Sequence, residues 1–344
     1  MTKQILCFAA TGKQLTFVSF SPFSFKCILL ILRRNVRDAS FNMTLLKTFN
    51  PLNFQNYLQM KFFKTSSFLL SLSLFAVSTI FAQNLISAEE LAKIYDKENV
   101  QIIWAGPNDG YRIHIKGAIN MPYNELCNHE PVKNLVKNPD EMAQILGAKG
   151  ISADKTLIVY DDGIGKHAAR VCWTLKYLGA KDVKMLDGNL PAWKKIRGYI
   201  TVAPTKISPV IFNVSLDKNL LATMDDVKDA MGETSTIIVD ARPAEDFSGT
   251  TETKDQTGHI PGAVNVDFEK LKDSNGLLIP KEVLKTIFEN KRITPDKTII
   301  IYCNSGVRAS YVFMALKKLN YPNIKIYDGS FLEWKLDANN KVEI

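Results

Sequence analysis

The stretch "IIIYCNSGVRAS", residues 299–310, joins an apolar run to a cysteine, a short polar segment and a glycine. A continuous apolar run of this kind is typical of a strand that is buried on both faces. After Gly306 the apolar residues recur with helical spacing, with Val312 and Leu319 on one face. The pattern therefore predicts a strand, a tight turn and a helix, with Cys303 at the carboxyl end of the strand.

The chain carries this pattern twice, together with two further motifs in the same order. The offsets between the copies are 145, 142 and 141 residues. Such a constant register indicates two copies of one domain, predicted at 83–207 and 208–344 and joined around "VAPTKISP". The paired motifs are "HIKGAIN" at 114–120 with "HIPGAVN" at 259–265, "TLIVYDDG" at 156–163 with "TIIIYCNSG" at 298–306, and "LDGNLPAWKK" at 186–195 with "YDGSFLEWK" at 327–335.

Short apolar runs and helical patterns alternate within each copy. This alternation predicts an α/β fold with two domains, each a parallel sheet covered by helices on both faces. Ligands of such sheets bind beyond the carboxyl ends of the strands. Cys303 is predicted to lie at one of those ends.

The net charge of +8 comes from the first 82 residues. These hold nine of the 43 basic residues and one of the 35 acidic residues, which leaves 34 of each in the rest of the chain. Because the two domains together are close to neutral, the charge gives no case for nucleic acid as a partner.

The leader, residues 1–82, has the form of an export signal from Met60 onward. Two lysines precede an apolar core of about fifteen residues that ends near Ala82, as in a secretory signal peptide. We therefore expect a signal peptide at 60–82, a misassigned start at 1–59, and a mature periplasmic protein without a stable membrane span. A retained membrane anchor and a basic transit peptide remain the alternatives.

Beyond the leader the chain has three cysteines, Cys127, Cys172 and Cys303. An odd and sparse set is no disulfide framework. Cys172 falls in the first copy's helix and is expected to be core, and Cys127 is expected to be structural as well. The four histidines lack metal-ligand spacing and predict no metal site: residues 114, 129, 167 and 259.

The six residues from Cys303 to Arg308 are predicted to connect the strand to the helix. A tight loop that opens a helix turns backbone N–H groups inward and forms an anion-binding concavity. A thiol in that position is expected to ionise more readily than a free one. Gly306 lets the backbone pass close to the sulfur, and Arg308 adds a positive charge. The first copy has Asp161 in place of the cysteine, so the scaffold does not require sulfur there.

Together these motifs resemble the rhodanese family, and in particular the tandem-domain thiosulfate and 3-mercaptopyruvate sulfurtransferases. The resemblance covers about 83–344 and includes "GHIPGAVN", the "DAR" that ends at Arg242, and "DGSFLEW". It implies a non-catalytic first domain, in keeping with Asp161, and an active site in the second domain that faces the domain interface. By the same resemblance Cys303 is the nucleophile, and the substrate-binding residues are Arg242, Asn304, Ser305, Gly306, Val307 and Arg308.

The reaction that the resemblance implies is a two-step relay without a metal or organic cofactor. The Cys303 thiolate takes the sulfane sulfur of a small donor, and a thiol or cyanide then accepts it. The neutral residues Asn304 and Ser305 depart from the basic loops of thiosulfate enzymes. The Cys-x-Ser-Gly-Val arrangement is more similar to the mercaptopyruvate enzymes.

The second arginine that mercaptopyruvate enzymes usually carry, four residues after the position of Arg242, is replaced by Asp246. A carboxylate there weakens a two-arginine clamp on the substrate carboxylate. Arg308 stands where many tandem enzymes have threonine and can restore positive charge. Thiosulfate is therefore the predicted donor, with 3-mercaptopyruvate as the alternative. Arg242 itself can equally well form a structural salt bridge.

Two other functions use a similar architecture. Cysteine-dependent phosphatases carry a Cys-x5-Arg loop, whereas Cys303-x4-Arg308 is one residue shorter and fits a single sulfur better than a tetrahedral oxyanion. The other alternative is a sulfur-relay or binding module without turnover. Loss of the cysteine is the mark of such a module, and only the first copy lacks it.

Overall fold

The computed structural model describes residues 84–252 and 257–344 in full and, upstream of them, the backbone of four strands. These strands form an antiparallel sheet in chain order within a separate unit, Met1–Ile80. The predicted signal peptide at 60–82 lies outside the described residues. The four strands are β1 (Leu6–Thr11), β2 (Gln14–Ser19), β3 (Ile28–Arg34) and β4 (Phe41–Leu45).

The first copy of the repeat begins with β5 and ends with β11. Its strands are β5 (Leu85–Ile86), β6 (Val100–Trp104), β7 (His114–Ile115), β8 (Ile119–Asn120), β9 (Thr156–Tyr160), β10 (Asp182–Leu186) and β11 (Ile200–Thr201). Its α-helices are α1 (Ala88–Ala92), α2 (Pro139–Ala148), α3 (Lys166–Tyr177) and α4 (Asn189–Lys195).

The second copy repeats the five strands of the main sheet in the same succession, without counterparts of β7 and β11 and with one additional short helix, α6. Its strands are β12 (Leu221–Ala222), β13 (Thr236–Asp240), β14 (Val264–Asn265), β15 (Thr298–Tyr302) and β16 (Ile324–Tyr327). Its α-helices are α5 (Met224–Ala230), α6 (Ala244–Phe247), α7 (Lys281–Glu289), α8 (Val307–Lys318) and α9 (Ser330–Leu336).

Each copy folds around a five-stranded sheet whose neighbouring strands are all parallel. The orders are β5-β10-β9-β6-β8 and β12-β16-β15-β13-β14, which are the same topology repeated. The central strands β9 and β15 are the predicted apolar runs, and they are buried on both faces because helices cover the sheet. The predicted fold class is confirmed.

The repeated "HI-GA" motif and the tyrosine that ends each central strand are held together in the same way in both copies. The Ile115 N–H donates to the Tyr160 hydroxyl at 2.9 Å, and the Ile260 N–H donates to the Tyr302 hydroxyl at 3.0 Å. A buried phenol needs such a partner. These motifs therefore recur because the fold requires them, independently of chemistry.

Within residues 84–252 and 257–344, no helix has the length and apolar character needed to cross a membrane.

Candidate active site

The turn after β15 is shorter than the sequence predicts. The helix begins at Val307, so the connection consists of residues 303–306 and Arg308 already lies in the first helical turn. Gly306 precedes the helix with φ of +76°, a backbone conformation that favours glycine. A Cβ atom at Gly306 would lie 2.8 Å from Asp328 Oδ1 and 2.9 Å from Arg170 Nη1.

The equivalent turn in the first copy is closed by its own side chain. Asp161 is fully buried at the end of β9. Its Oδ1 accepts the N–H groups of Gly163 and Gly165, both at 2.9 Å, and its Oδ2 accepts the N–H of Ala168 at 3.1 Å. The turn is thus an anion cradle, and the carboxylate is its anion.

The turn after β15 leaves its donors open. In the part of the chain that the structure describes, the backbone N–H groups of residues 305–308 have no hydrogen-bond acceptor. They lie at the N-terminus of the twelve-residue helix α8, whose dipole adds positive potential. Cys303, 1% exposed, occupies the place of Asp161. This arrangement can stabilise a negatively charged group attached to the Cys303 sulfur.

A pocket of about 390 Å³ opens onto Cys303 and is lined by both domains. The loop residues that the sequence identifies converge here, apart from Gly306, which is not among the residues that line the pocket. The second domain contributes Pro243, Phe268, Glu269, Cys303, Asn304, Ser305, Val307 and Arg308. The first domain contributes Tyr123, Asn134, Lys166 and His167.

The first domain also holds the catalytic turn in place. Asn134 Nδ2 donates to the Ser305 hydroxyl at 2.9 Å, and the Val136 N–H donates to Asp328 Oδ2 at 2.8 Å. The buried Arg170 forms an ion pair with Asp328. A buried charge is tolerated when it is paired in this way. The turn is therefore fixed by contacts from across the domain interface.

Arg242 does not line the pocket. Its guanidinium is buried, donates through Nε to both oxygens of Asp240 at 3.0 Å, and lies 4.1 Å from the centre of the Phe331 ring. Its Nη2 donates to the Gly258 carbonyl. These contacts match the structural salt bridge that the sequence left open. A role of Arg242 in substrate binding stays a prediction.

Arg308 lines the pocket, but its charge is partly neutralised by Asp246, because Arg308 Nη1 and Asp246 Oδ2 lie 3.5 Å apart. The two side chains are largely buried, at 19% and 11% exposure. Lys166, which opens α3, also lines the pocket, and among the described residues it has no ion-pair partner. The pocket therefore offers two cations to an anionic substrate, of which Lys166 is the less neutralised.

One cluster near this pocket has side chains of the kind that can bind a metal. It consists of Asp161, Asp162 and His167, whose ligand atoms lie within 4.8 Å of one another. Three N–H groups already point at the Asp161 carboxylate, which is the environment of an anion rather than of a cation ligand. We therefore assign no metal to this cluster.

The other two cysteines are structural. Cys172 is fully buried in α3, as predicted, and burial raises the pKa of its thiol to about 12. Burial also raises the pKa of Cys127, whose Sγ donates to the Tyr123 carbonyl at 3.4 Å. Both thiols stay protonated at neutral pH and are poor nucleophiles.

The sequence analysis missed the pocket residues of the first domain. Lys166 and His167 open α3, directly after the turn that matches the Cys303 turn. The active site was predicted to face the domain interface. The turn of the first domain that matches the Cys303 turn was therefore the one feature of the sequence that could have pointed to these two residues. Tyr123 and Asn134 carry no such mark, because they lie in a segment without regular structure around a short 3-10 helix, Tyr123–Leu126.

Comparison with known proteins matches both copies to one family. The model for the rhodanese-like domain matches residues 87–196 and 223–337. The chain is 33% identical to the 3-mercaptopyruvate sulfurtransferase of Escherichia coli K12, over 75% of this chain and 97% of that protein. It is 31% identical to the thiosulfate sulfurtransferase of Gallus gallus, over 64% of this chain and 78% of that protein.

Among solved structures, the chain is similar to SseA from Escherichia coli, described as a 3-mercaptopyruvate sulfotransferase with the rhodanese fold. The TM-score is 0.66 at 31% identity, and the match covers 72% of this chain and 98% of SseA. Fold and repeat thus agree with one set of relatives.

Proposed function

The chain belongs to the rhodanese-like domain family, and on that premise we propose that it is a sulfurtransferase that carries sulfane sulfur as a persulfide on Cys303. The observation that carries this proposal is the open set of N–H donors at residues 305–308, beside Cys303, in a pocket lined by both domains. An open cradle next to a thiol suits a nucleophile that must hold a negatively charged adduct.

The first half-reaction loads the sulfur. The Cys303 thiolate attacks the outer sulfur of the donor, the bond between that sulfur and the rest of the donor breaks, and sulfite leaves with the electron pair. The outer sulfur stays on Cys303 as a persulfide anion. The N–H groups of residues 305–308 and the α8 dipole stabilise its charge.

The second half-reaction unloads the sulfur. A thiol or cyanide attacks the outer sulfur, and the bond between this sulfur and Cys303 Sγ breaks. The Cys303 thiolate is restored, and the acceptor leaves as a persulfide or as thiocyanate.

We propose thiosulfate as the donor, with 3-mercaptopyruvate as the alternative. Both are anions, and Lys166 and Arg308 supply positive charge in the pocket. A two-arginine clamp on a carboxylate is not available, since Arg242 is buried on Asp240 and Asp246 is itself a carboxylate. A planar carboxylate benefits most from such bidentate pairing. The sulfonate end of thiosulfate depends less on bidentate pairing with arginine.

The test is sulfur transfer by the purified full chain, with each donor in turn and cyanide as acceptor. Cys303→Ser should abolish thiocyanate formation with either donor. Cys172→Ala, which removes a thiol from the buried face of α3, is the matched control and should retain transfer. Wild-type protein that is folded but inactive with both donors would contradict the proposal and favour a partner-specific relay. Loss of transfer in both variants would contradict the assignment to Cys303.

We further propose that residues 60–82 direct export to the periplasm and that cleavage follows Ala82. The two lysines and the apolar core that ends at Ala82 support this. The protein should then be recovered from the periplasmic fraction of a bacterial host with Gln83 as its first residue. Recovery from the cytoplasm with the leader intact would contradict export.

A further inference from the structure

His167 is the least explained polar side chain of the pocket. It lies in the first turn of α3, in the first domain, yet lines the same pocket as Cys303. Its ring stacks on Tyr123 with centroids 4.7 Å apart and planes 9° from parallel. The residue is 8% exposed, so its orientation is set by packing rather than by solvent.

One ring nitrogen of His167 is buried without a partner. Nδ1 has no hydrogen bond in the described part of the chain. A buried polar atom without a partner is costly, and such atoms are uncommon unless a ligand or water completes them. A neutral imidazole has one nitrogen that accepts a proton and one that donates. His167, a residue that lines the pocket, thus has a ring nitrogen that the described protein leaves without a hydrogen-bond partner.

The charges around His167 leave it neutral. Burial lowers the pKa of the imidazole; Asp161 and, more weakly, Asp162 oppose this, whereas Lys166 lowers the pKa further. Tyr123, whose own pKa is raised by burial, is an uncharged phenol at neutral pH. Glu269 and Arg308 line the same pocket and belong to the second domain. A neutral imidazole is the form that can take up a proton.

The two half-reactions differ in their need for such a group. Loading from thiosulfate moves a sulfur between anions and transfers no proton. Unloading to the cyanide ion also requires none. Unloading to a thiol does, because the thiol is a weak nucleophile until its proton is removed.

We propose that His167 transfers the proton of a thiol acceptor during unloading, an inference that rests on the proposed function. The thiol gives its proton to the imidazole, and the imidazolium passes it to the outer sulfur of the Cys303 persulfide. The resulting thiolate attacks that sulfur, a new S–S bond forms, and the bond to Cys303 Sγ breaks with the electron pair staying on Cys303. The product leaves as a protonated persulfide, and both His167 and the Cys303 thiolate are regenerated. The first domain thus contributes a catalytic residue to the second.

The experiment separates the half-reactions in the full chain with His167→Gln. Sulfite release on loading with thiosulfate, and unloading to cyanide at a pH where cyanide is ionised, should stay within about twofold of wild type. Unloading to 2-mercaptoethanol at pH 7 should fall by about a hundredfold, the lower range of general acid–base catalysis. His129→Gln, at an exposed histidine of the same domain, is the matched control and should leave all three rates unchanged.

The pH profile provides a readout that a merely structural role would not change. As the pH rises above the pKa of the free thiol, the acceptor is already ionised, and the defect of His167→Gln should disappear. An equal loss with cyanide and thiol, or a thiol defect that persists at high pH, would overturn the proposal. So would an unchanged thiol rate at pH 7. Failure of wild-type protein to release sulfite from thiosulfate and pyruvate from 3-mercaptopyruvate would instead contradict the sulfurtransferase function itself.

Discussion

The turns after β9 and β15 occupy the same place in two copies of one domain, and they differ in what fills them. Asp161 supplies a permanent anion to the first turn, and three N–H groups bind it. Cys303 leaves the second turn open, so its donors remain for a group that arrives during the reaction. The difference indicates that the cradle belongs to the fold, whereas the proposed chemistry depends on the one residue that follows the strand.

The turns also differ in length and in what covers them. Four residues separate Asp161 from α3, and three separate Cys303 from α8. Arg170 of α3 reaches the second turn, where it pairs with Asp328. Tyr311, at the equivalent position 141 residues later in α8, packs against the first turn, since a Cβ at Gly165 would lie 2.6 Å from its ring. Each domain thus covers the turn of the other. The first domain does so with the charged Arg170, and the second does so with the aromatic ring of Tyr311.

Exchanging the residues that fill the turns should have the largest effect. Cys303→Asp supplies the second turn with its own anion, and sulfur transfer should fall by at least about a thousandfold because the nucleophile is gone. The melting temperature should stay at or above that of wild type, because the carboxylate can accept the open N–H groups.

The reverse exchange, Asp161→Cys, sharpens the same comparison. We expect mass spectrometry after incubation with thiosulfate to detect one added sulfur per chain, on Cys303, because the first turn is longer and Tyr311 packs against it. A persulfide at position 161 would show that the cradle and a thiol are sufficient by themselves.

Removing the residues that cover the turns should affect stability. Arg170→Met leaves the buried Asp328 carboxylate without its charge partner and should lower the free energy of unfolding by about 3–5 kcal/mol. Tyr311→Phe, at the equivalent position, keeps the ring and should cost less than about 1 kcal/mol. Urea unfolding of both variants measures the difference, and equal losses would mean that the ion pair contributes no more than the Tyr311 hydroxyl.

An effect smaller than that of Arg170→Met is expected at Gly306, the glycine that precedes α8. Gly232, elsewhere in the same domain, serves as the control, because it has φ of +87° and no atom within 4 Å of the place that a Cβ would occupy. Gly232→Ala should lower the free energy of unfolding by about 1–2 kcal/mol for the backbone alone. Gly306→Ala adds close contacts with Asp328 and Arg170, and it should cost about 1 kcal/mol more, measured by urea unfolding. It should also slow sulfur loading, because the N–H donors shift. Identical stability and unchanged loading in both variants would mean that the turn tolerates displacement.

Much of the fold could be predicted from the sequence because the strands and helices are regular and repeated. The apolar runs at β9 and β15, the turn glycines and the constant register all carry local signals. The start of α8 was placed too late, since the sequence does not reveal that Gly306 already caps the helix and that Arg308 lies inside it. Helix ends depend on backbone conformation more than on residue type.

The site could be predicted only in part, because the pocket is made by two domains that are distant in sequence. Cys303 and its loop carry a local pattern, whereas Asn134 and His167 join them only through the packing of one copy on the other. Asp246 was identified as an obstacle to a clamp, but its pairing with Arg308 depends on side-chain directions that spacing does not give. Arg242 had two possible roles, and its contact with Asp240 shows the structural one, whereas its role in substrate binding stays a prediction.

The contacts that Asn134, Val136 and Arg170 make with the catalytic turn have a consequence for the history of the chain. After a gene duplication, a copy without a nucleophile is usually free to drift or to be deleted. Here the first copy forms one wall of the pocket that contains Cys303 of the second copy. A mutation in the first copy can therefore alter the active site of the enzyme. The duplicated halves therefore evolve as one unit, and neither half can be inherited alone as a smaller enzyme.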